Sequence, residues 1–282
     1  MHLLMVGGAI AIALLLRYYT IPRTLSWPQR WVATVGALTL PPLLLLTTAL
    51  AIVLMGPAGR MAGMTVGFGG YGMSVAILMG AGLVFLTLLW GGWRSQQQVQ
   101  TYPAIQIQNH PARLLDTPLC FAGQVGLWRP QLVVSQGLLE TLNGEQLAAV
   151  LAHEQAHAYY GDTLWFLVWG WLRRLTPWLP RTAQLWQELL LLRELRADHW
   201  AATQVDPLVL AESLLLVVRS PLPPWEKAIA FHDQPHRLED RINALLATEQ
   251  GDGQRVKQER DRWLLWGGLL ILLPLLLMPL HQ

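Results

Sequence analysis

Asn143-Gly144-Glu145-Gln146-Leu147-Ala148-Ala149-Val150-Leu151-Ala152-His153-Glu154-Gln155-Ala156-His157 reads as a single helix, and the rest of the chain is interpreted outward from it. Asn143 is an N-cap with Gln146 three residues on, as in a capping box. Ala and Leu fill the interior, and Leu147, Val150 and Leu151 recur at helical spacing. Tyr159-Tyr160 and then Gly161 supply a C-terminal signal. Side chains four apart share a helix face, so His153 and His157 offer imidazole nitrogens to one point, with Glu154 beside it. Two such imidazoles suit a zinc ion, and the adjacent carboxylate suits a general base that takes a proton from a metal-activated water. With 8 His among 282 residues, about 0.01 chance occurrences of the five-residue pattern are expected, which weighs against coincidence.

A catalytic zinc takes three protein ligands and keeps one position open. The candidate for the third lies in Arg193-Glu194-Leu195-Arg196-Ala197-Asp198, where Glu194 and Asp198 are four apart on one face of a second long helical pattern, Thr182 to about Thr203. Glu194 completes a His, His, Glu set, and Asp198 can accept the second ring N–H of a ligand His and fix its tautomer. Taken alone, Arg193 and Arg196 would make this an ordinary solvated face of Arg and Glu pairs. The upstream histidines turn the balance toward one Zn2+ per chain.

Composition sets the surroundings. Hydrophobic residues make up 53% of the chain and charged ones 13%, roughly half the charge density of a soluble domain. Uncharged runs long enough to cross a hydrocarbon layer fall at about 31–55 and 72–93, and a further one at 263–282 is entered through Arg262-Trp263 and Trp266. A first segment, about 3–20, is read as an uncleaved span rather than a signal peptide. No basic residue precedes it, and no small-x-small cleavage site comes before Arg17. The loop with Arg17, Arg23 and Arg30 outweighs the loop with only Arg60, which puts the former, and by parity residues 94–262, on the cytoplasmic side of the inner membrane. The formal net charge of +2 is dispersed, so nucleic acid is not an expected partner. The lone Cys120 excludes an internal disulfide and fits a reducing compartment.

Between the third and fourth spans, Ala104 to Gln108 alternates as a half-buried strand, and Leu119 to Ala122 and Leu132 to Ser135 read as further short strands. Such a sheet either offers an edge along which an extended peptide lies or simply covers the metal-binding helix. Thr163 to Trp171 is apolar but too short to span and is expected to lie against or dip into the membrane, or to join the following Trp178 region as a hairpin. Asp206 to Arg219 and His236 to Glu249 read as amphipathic helices, and Gln250 to Arg262 as a hydrophilic lead-in to the last span. The fold expected is therefore mainly α: four transmembrane helices with an α+β domain, 94–262, between the third and fourth.

His153-Glu154-x-x-His157, Asp162 and Glu194-x-x-x-Asp198 together resemble the integral-membrane gluzincin zinc metallopeptidases, which include the BlaR/MecR-type, HtpX-like and CAAX-processing proteases. Gly126-Leu127-Trp128-Arg129-Pro130-Gln131-Leu132 is similar to a Gly-x-x-x-Pro-x-Ile segment of the BlaR/MecR-type proteins. Arg237-Leu238-Glu239-Asp240-Arg241-Ile242-Asn243-Ala244-Leu245 is similar to their Arg-Ile-x-x-Leu segment. The resemblance implies a membrane-embedded zinc endopeptidase with His153, His157 and Glu194 as ligands, Glu154 as base and Asp198 behind them, acting on a protein or peptide substrate in contact with membrane lipid. It also raises His232 and His236 as approximate counterparts of a histidine near the substrate oxyanion in HtpX-like enzymes, although their spacing to Arg241 disagrees. The chain ends at His281-Gln282, so the extracellular sensor of the penicillin-responsive members is not expected. A regulatory protein partner is then a candidate, and a signalling protease that cuts a repressor or itself is the alternative use of the same site. A motif helix buried in the bilayer is disfavoured because Asn143, Gly144, Glu145, Tyr159 and Tyr160 flank it.

Overall fold

The computed structural model describes residues 2–18, 21–22, 24–58, 60–61, 64–65, 68–219, 235–246 and 271–275. The chain is mainly helical. Its elements in order are α1 (His2–Tyr18), α2 (Trp27–Met55), β1 (Arg60–Met61), β2 (Met64–Thr65), α3 (Phe68–Gln100), β3 (Ala104–Ile107), β4 (His110–Leu115), β5 (Ala122–Val125), β6 (Gln131–Ser135), α4 (Gln136–Thr141), α5 (Gly144–Tyr160), α6 (Asp162–Leu175), α7 (Thr182–Ala201), α8 (Pro207–Arg219) and α9 (Pro235–Leu246). Two compact units share it: residues 1–88, 168–190 and 251–282 form one, and 89–167 with 191–250 the other.

In the first unit α1 packs on α2. Among the described residues two helices are long and apolar enough to cross a membrane, α2 with 29 residues and α3 with 33, whereas α1 with 17 is shorter. Pro41 and Pro42 sit inside α2, where Thr47 and Thr48 donate their hydroxyls back to the carbonyls of Leu43 and Leu44. Trp169 meets Trp31 edge-on at 5.7 Å, and Trp171 donates its indole N–H to the Ala81 carbonyl at 2.9 Å. Arg30 pairs with Glu188. Of the fourth expected span only 271–275 are described, and they are helical. The expected lead-in from Gln250 to Arg262 lies outside the described residues.

The second unit is built around α5. A four-stranded sheet of order β3-β4-β6-β5 lies along it, with β4 and β6 parallel and the other two pairs antiparallel. Leu147, Val150 and Leu151 of α5 pack with Ile107, Leu132, Val134 and Leu138 of the sheet and α4. On its other side, Ala149 and Ala152 meet Leu210 and Leu214 of α8, with Leu238 and Leu245 of α9 against them. Burying such aliphatic side chains stabilises by about 1.5–3 kcal/mol each, so α5 is held on both sides. Its N-terminus is the capping box read from the sequence: Asn143 Oδ1 accepts from the Gln146 amide at 2.9 Å and Gln146 Oε1 from the Asn143 amide at 3.1 Å.

The sheet differs from expectation in two places. Strand β4 was not anticipated, and the strand expected at 119–122 is found at 122–125. Pro111 explains the first, since a proline cannot donate to a ladder. It stands opposite Gln106 of β3, and the pairing of β4 with β6 begins only at Ala112. Gln108 and Asn109, with φ of 46° and 69°, make the two-residue turn between β3 and β4, the backbone that matches hairpin twist. Gln108 also donates to the Gly144 carbonyl at 2.8 Å and so ties that turn to the start of α5. At the other difference, residues 119–121 lead into β5, and Phe121 instead exchanges bonds with Ser135. Gly137, the second residue of α4, stands where a Cβ would lie 2.1 Å from the Pro118 carbonyl oxygen.

Candidate metal centre

The candidate metal ligands and their supporting residues are brought together by α5, the start of α6, α7 and α9. His153 Nε2 and His157 Nε2 lie 3.1 Å apart, with the rings perpendicular and their centroids 4.7 Å apart. Glu194 of α7 places Oε2 3.3 Å from His153 Nε2 and Oε1 3.8 Å from His157 Nε2. All three donor atoms lie within 4.8 Å of one another. Ligands held tetrahedrally at about 2.0–2.1 Å from zinc stand roughly 3.3 Å from each other, so the two Nε2 atoms are already at that spacing and Glu194 is close to it.

The other face of each imidazole makes the case stronger. His153 Nδ1 lies 2.8 Å from Asp198 Oδ1, and His157 Nδ1 lies 2.7 Å from Asp162 Oδ2. A carboxylate at Nδ1 keeps the ring proton on that nitrogen and leaves Nε2 with a lone pair. The two Nε2 atoms and the Glu194 carboxylate then face one point. Three acceptors so placed repel unless positive charge, a proton or a metal cation, sits among them. The His, His, carboxylate chemistry suits zinc.

The electrostatics agree. Burial would lower the His153 pKa, but Asp198 and Glu194 outweigh it and, against Arg241, raise it to about 9. The pocket therefore favours positive charge at this point. Burial would raise the Glu194 carboxyl, yet Arg193, with His153, His157 and Arg241, holds it well below the usual carboxylate range. Asp198 is likewise held down, against its burial, by Arg241 and His153.

Each supporting aspartate has its own guanidinium. Arg241 of α9 donates to Asp198 through two bonds of 2.7 and 2.8 Å and approaches Glu194 Oε2 at 3.4 Å. Arg196 pairs with Asp162 while its guanidinium lies 4.0 Å over the Tyr160 ring. Arg193 donates to Glu194 Oε1 at 2.7 Å. Asp162 reaches back to His157 because Gly161 ends α5 in the left-handed conformation, φ 64° and ψ 35°, which favours glycine. Replacing Asp162 with Ala is expected to weaken metal binding by about 10–100-fold, measured by titration with a competing chelator; an unchanged affinity would deny it this role.

Glu154 follows His153 on α5. It is buried, 8% exposed, and its charge contributes to the raised pKa of Arg193, but it supplies no atom to the three-ligand cluster. Its carbonyl accepts a bond from Gln124 of β5 at 3.2 Å, and so connects the helix to the edge strand.

The structure thus brings together His153, His157, Glu194 and Asp198. It adds residues whose roles were not legible in advance. Asp162 was noted only as part of a motif, and Arg241 only as part of a similar segment. The available signal was Gly161-Asp162, a helix stop followed at once by a carboxylate. His232 lies outside the described residues, and of His236 only the backbone in α9 is described.

Residues 116–187 match the model of Peptidase family M48. No solved structure matches the chain. The M48 segment carries His153, Glu154 and His157 and ends before Glu194. The match supports a metallopeptidase function, and M48 peptidases are metal-dependent enzymes that usually use zinc.

Proposed function

We propose that the chain is a membrane-embedded zinc endopeptidase that hydrolyses peptide bonds at the cytoplasmic membrane face. The observation that carries this is the convergence of His153 Nε2, His157 Nε2 and Glu194 within 4.8 Å, each imidazole backed by a carboxylate. A zinc ion held there supplies a Lewis acid that polarises the scissile carbonyl and acidifies a water.

The remaining chemistry belongs to the side chains. Glu154 takes the proton of the attacking water and passes it to the leaving amine. Asp198 and Asp162 keep the Nδ1 protons in place, so that both Nε2 atoms stay directed at the metal. Arg193 and Arg241 hold Glu194 ionised. Strand β5 stands at the open edge of the sheet and is tied through Gln124 to Glu154, which suits it to align an extended substrate as an added strand. The segments beginning at Gly126 and Arg237 favour the BlaR/MecR-type branch, with four spans and the active domain inside.

Detergent-purified protein is expected to hold one zinc per chain and to cleave casein. A strong chelator should remove the activity, and added zinc should restore it. Proteolysis that persists in metal-free protein would overturn the reading.

A further inference from the structure

Between β5 and β6 the chain turns through Gly126, whose φ is 121°, and presents Leu127, Trp128 and Arg129. Leu127 is packed against α3: a Cβ on Gly92 would lie 2.7 Å from its Cδ1. Trp128, the next residue, is 74% exposed. An indole that size is rarely left in water on a fixed turn, and this turn is fixed by Leu127. On α3, Trp90 and Trp93 flank Gly92 in sequence, are exposed at 62% and 50%, and lie with ring centroids 5.1 Å apart. Arg94 and Arg129 are exposed as well. Three exposed indoles and two exposed arginines therefore lie within two residues of one contact, that of Leu127 with Gly92, at the point where the apolar stretch of α3 gives way to Ser95-Gln96-Gln97-Gln98.

Indoles prefer the layer between hydrocarbon and water, and arginines there meet lipid phosphates. We propose that the tip of the β5–β6 hairpin is a membrane-interface anchor that seats Trp128 and Arg129 in the headgroup layer of an anionic bilayer, beside the end of α3. The occupant of this surface is lipid, because the surface continues that of a helix only 11% buried over its apolar window. A protein partner would not require the patch to coincide with the end of a span.

The anchor also bears on substrate. At about 3.3 Å per residue, a chain lying along β5 stays within roughly 20 Å of the headgroups. On the peptidase reading, this selects peptide bonds in segments next to a membrane, rather than in freely diffusing proteins.

The test needs no proteolysis and so stands apart from that reading. In full-length protein with Cys120 replaced by Ala and reconstituted in vesicles containing phosphatidylglycerol, nitroxide labels are attached to single cysteines replacing Trp128, Met79 of α3 and Glu140 of α4. Accessibility to oxygen relative to a water-soluble nickel complex should be highest at 79, lowest at 140 and intermediate at 128. A label at 128 as water-accessible as that at 140, with 79 in lipid, would overturn the anchor. A water-accessible label at 79 would remove α3 as a span, and the proposal with it. For substrate choice, Trp128→Ser should slow cleavage of a vesicle-tethered peptide several-fold and leave the untethered peptide unchanged, whereas equal slowing of both would overturn that consequence.

Discussion

Glu154→Gln is expected to lower proteolysis by about 10²–10⁴-fold while the zinc content stays at one per chain. Glutamine keeps the shape of the side chain but cannot take a proton from water near neutral pH. The three donor atoms are untouched, because Glu154 is not among them. Its charge acts on Arg193, which retains Glu194, so the fold has no reason to yield. Casein cleavage and metal analysis on one preparation test this directly. A variant with full metal and full rate would remove Glu154 as the base, and a variant without metal would show that it does more than move protons.

Glu194→Ala should have the larger effect on metal. It removes one of three donors, so affinity should fall by more than the roughly 10–100-fold that follows loss of an outer partner. It also removes a carboxylate that both Arg193 and Arg241 approach; Arg241 keeps Asp198, while the partly exposed Arg193 loses its closest partner, which is destabilising. Thermal unfolding should therefore move to lower temperature along with the loss of zinc. Glu194→Gln separates the two effects, since it keeps the volume and one oxygen while removing the charge. Unchanged zinc in both variants would take Glu194 out of the ligand set.

Much of this centre was legible because helices encode it locally. His153 and His157 share a face by spacing alone, and Asn143 with Gln146 marks the start of the helix that holds them. Glu194 and Asp198 needed a further argument, since nothing short-range distinguishes them from a solvated Arg and Glu face. What was hidden was tertiary. Arg241 comes from α9 to the far side of Asp198, and no periodicity announces a contact between residues so far apart. The strands fared worse than the helices for a related reason. Pro111 looks like a breaker until one sees that pairing with β6 starts after it, and the two-residue turn at Gln108-Asn109 lacks the glycine that usually marks one. The long apolar runs of α2 and α3 were plain from composition, and α1, described as far as Tyr18, falls on the stretch that suggested it.

The paired aspartates have one more implication, for the order in which the molecule is made. In small zinc domains the ion is the core, and the chain is unfolded without it. Here the rings of His153 and His157 are already oriented by Asp198 and Asp162, which are themselves clamped by Arg241 and Arg196, and α5 is packed on two sides by aliphatic residues. Maturation can then proceed in two separable steps, membrane insertion and folding first and metal uptake last. On the peptidase reading, the ion would add its own binding free energy to a fold whose packing is made elsewhere. A copy without zinc would then be folded and inert, so that metal supply rather than synthesis would set when cutting starts.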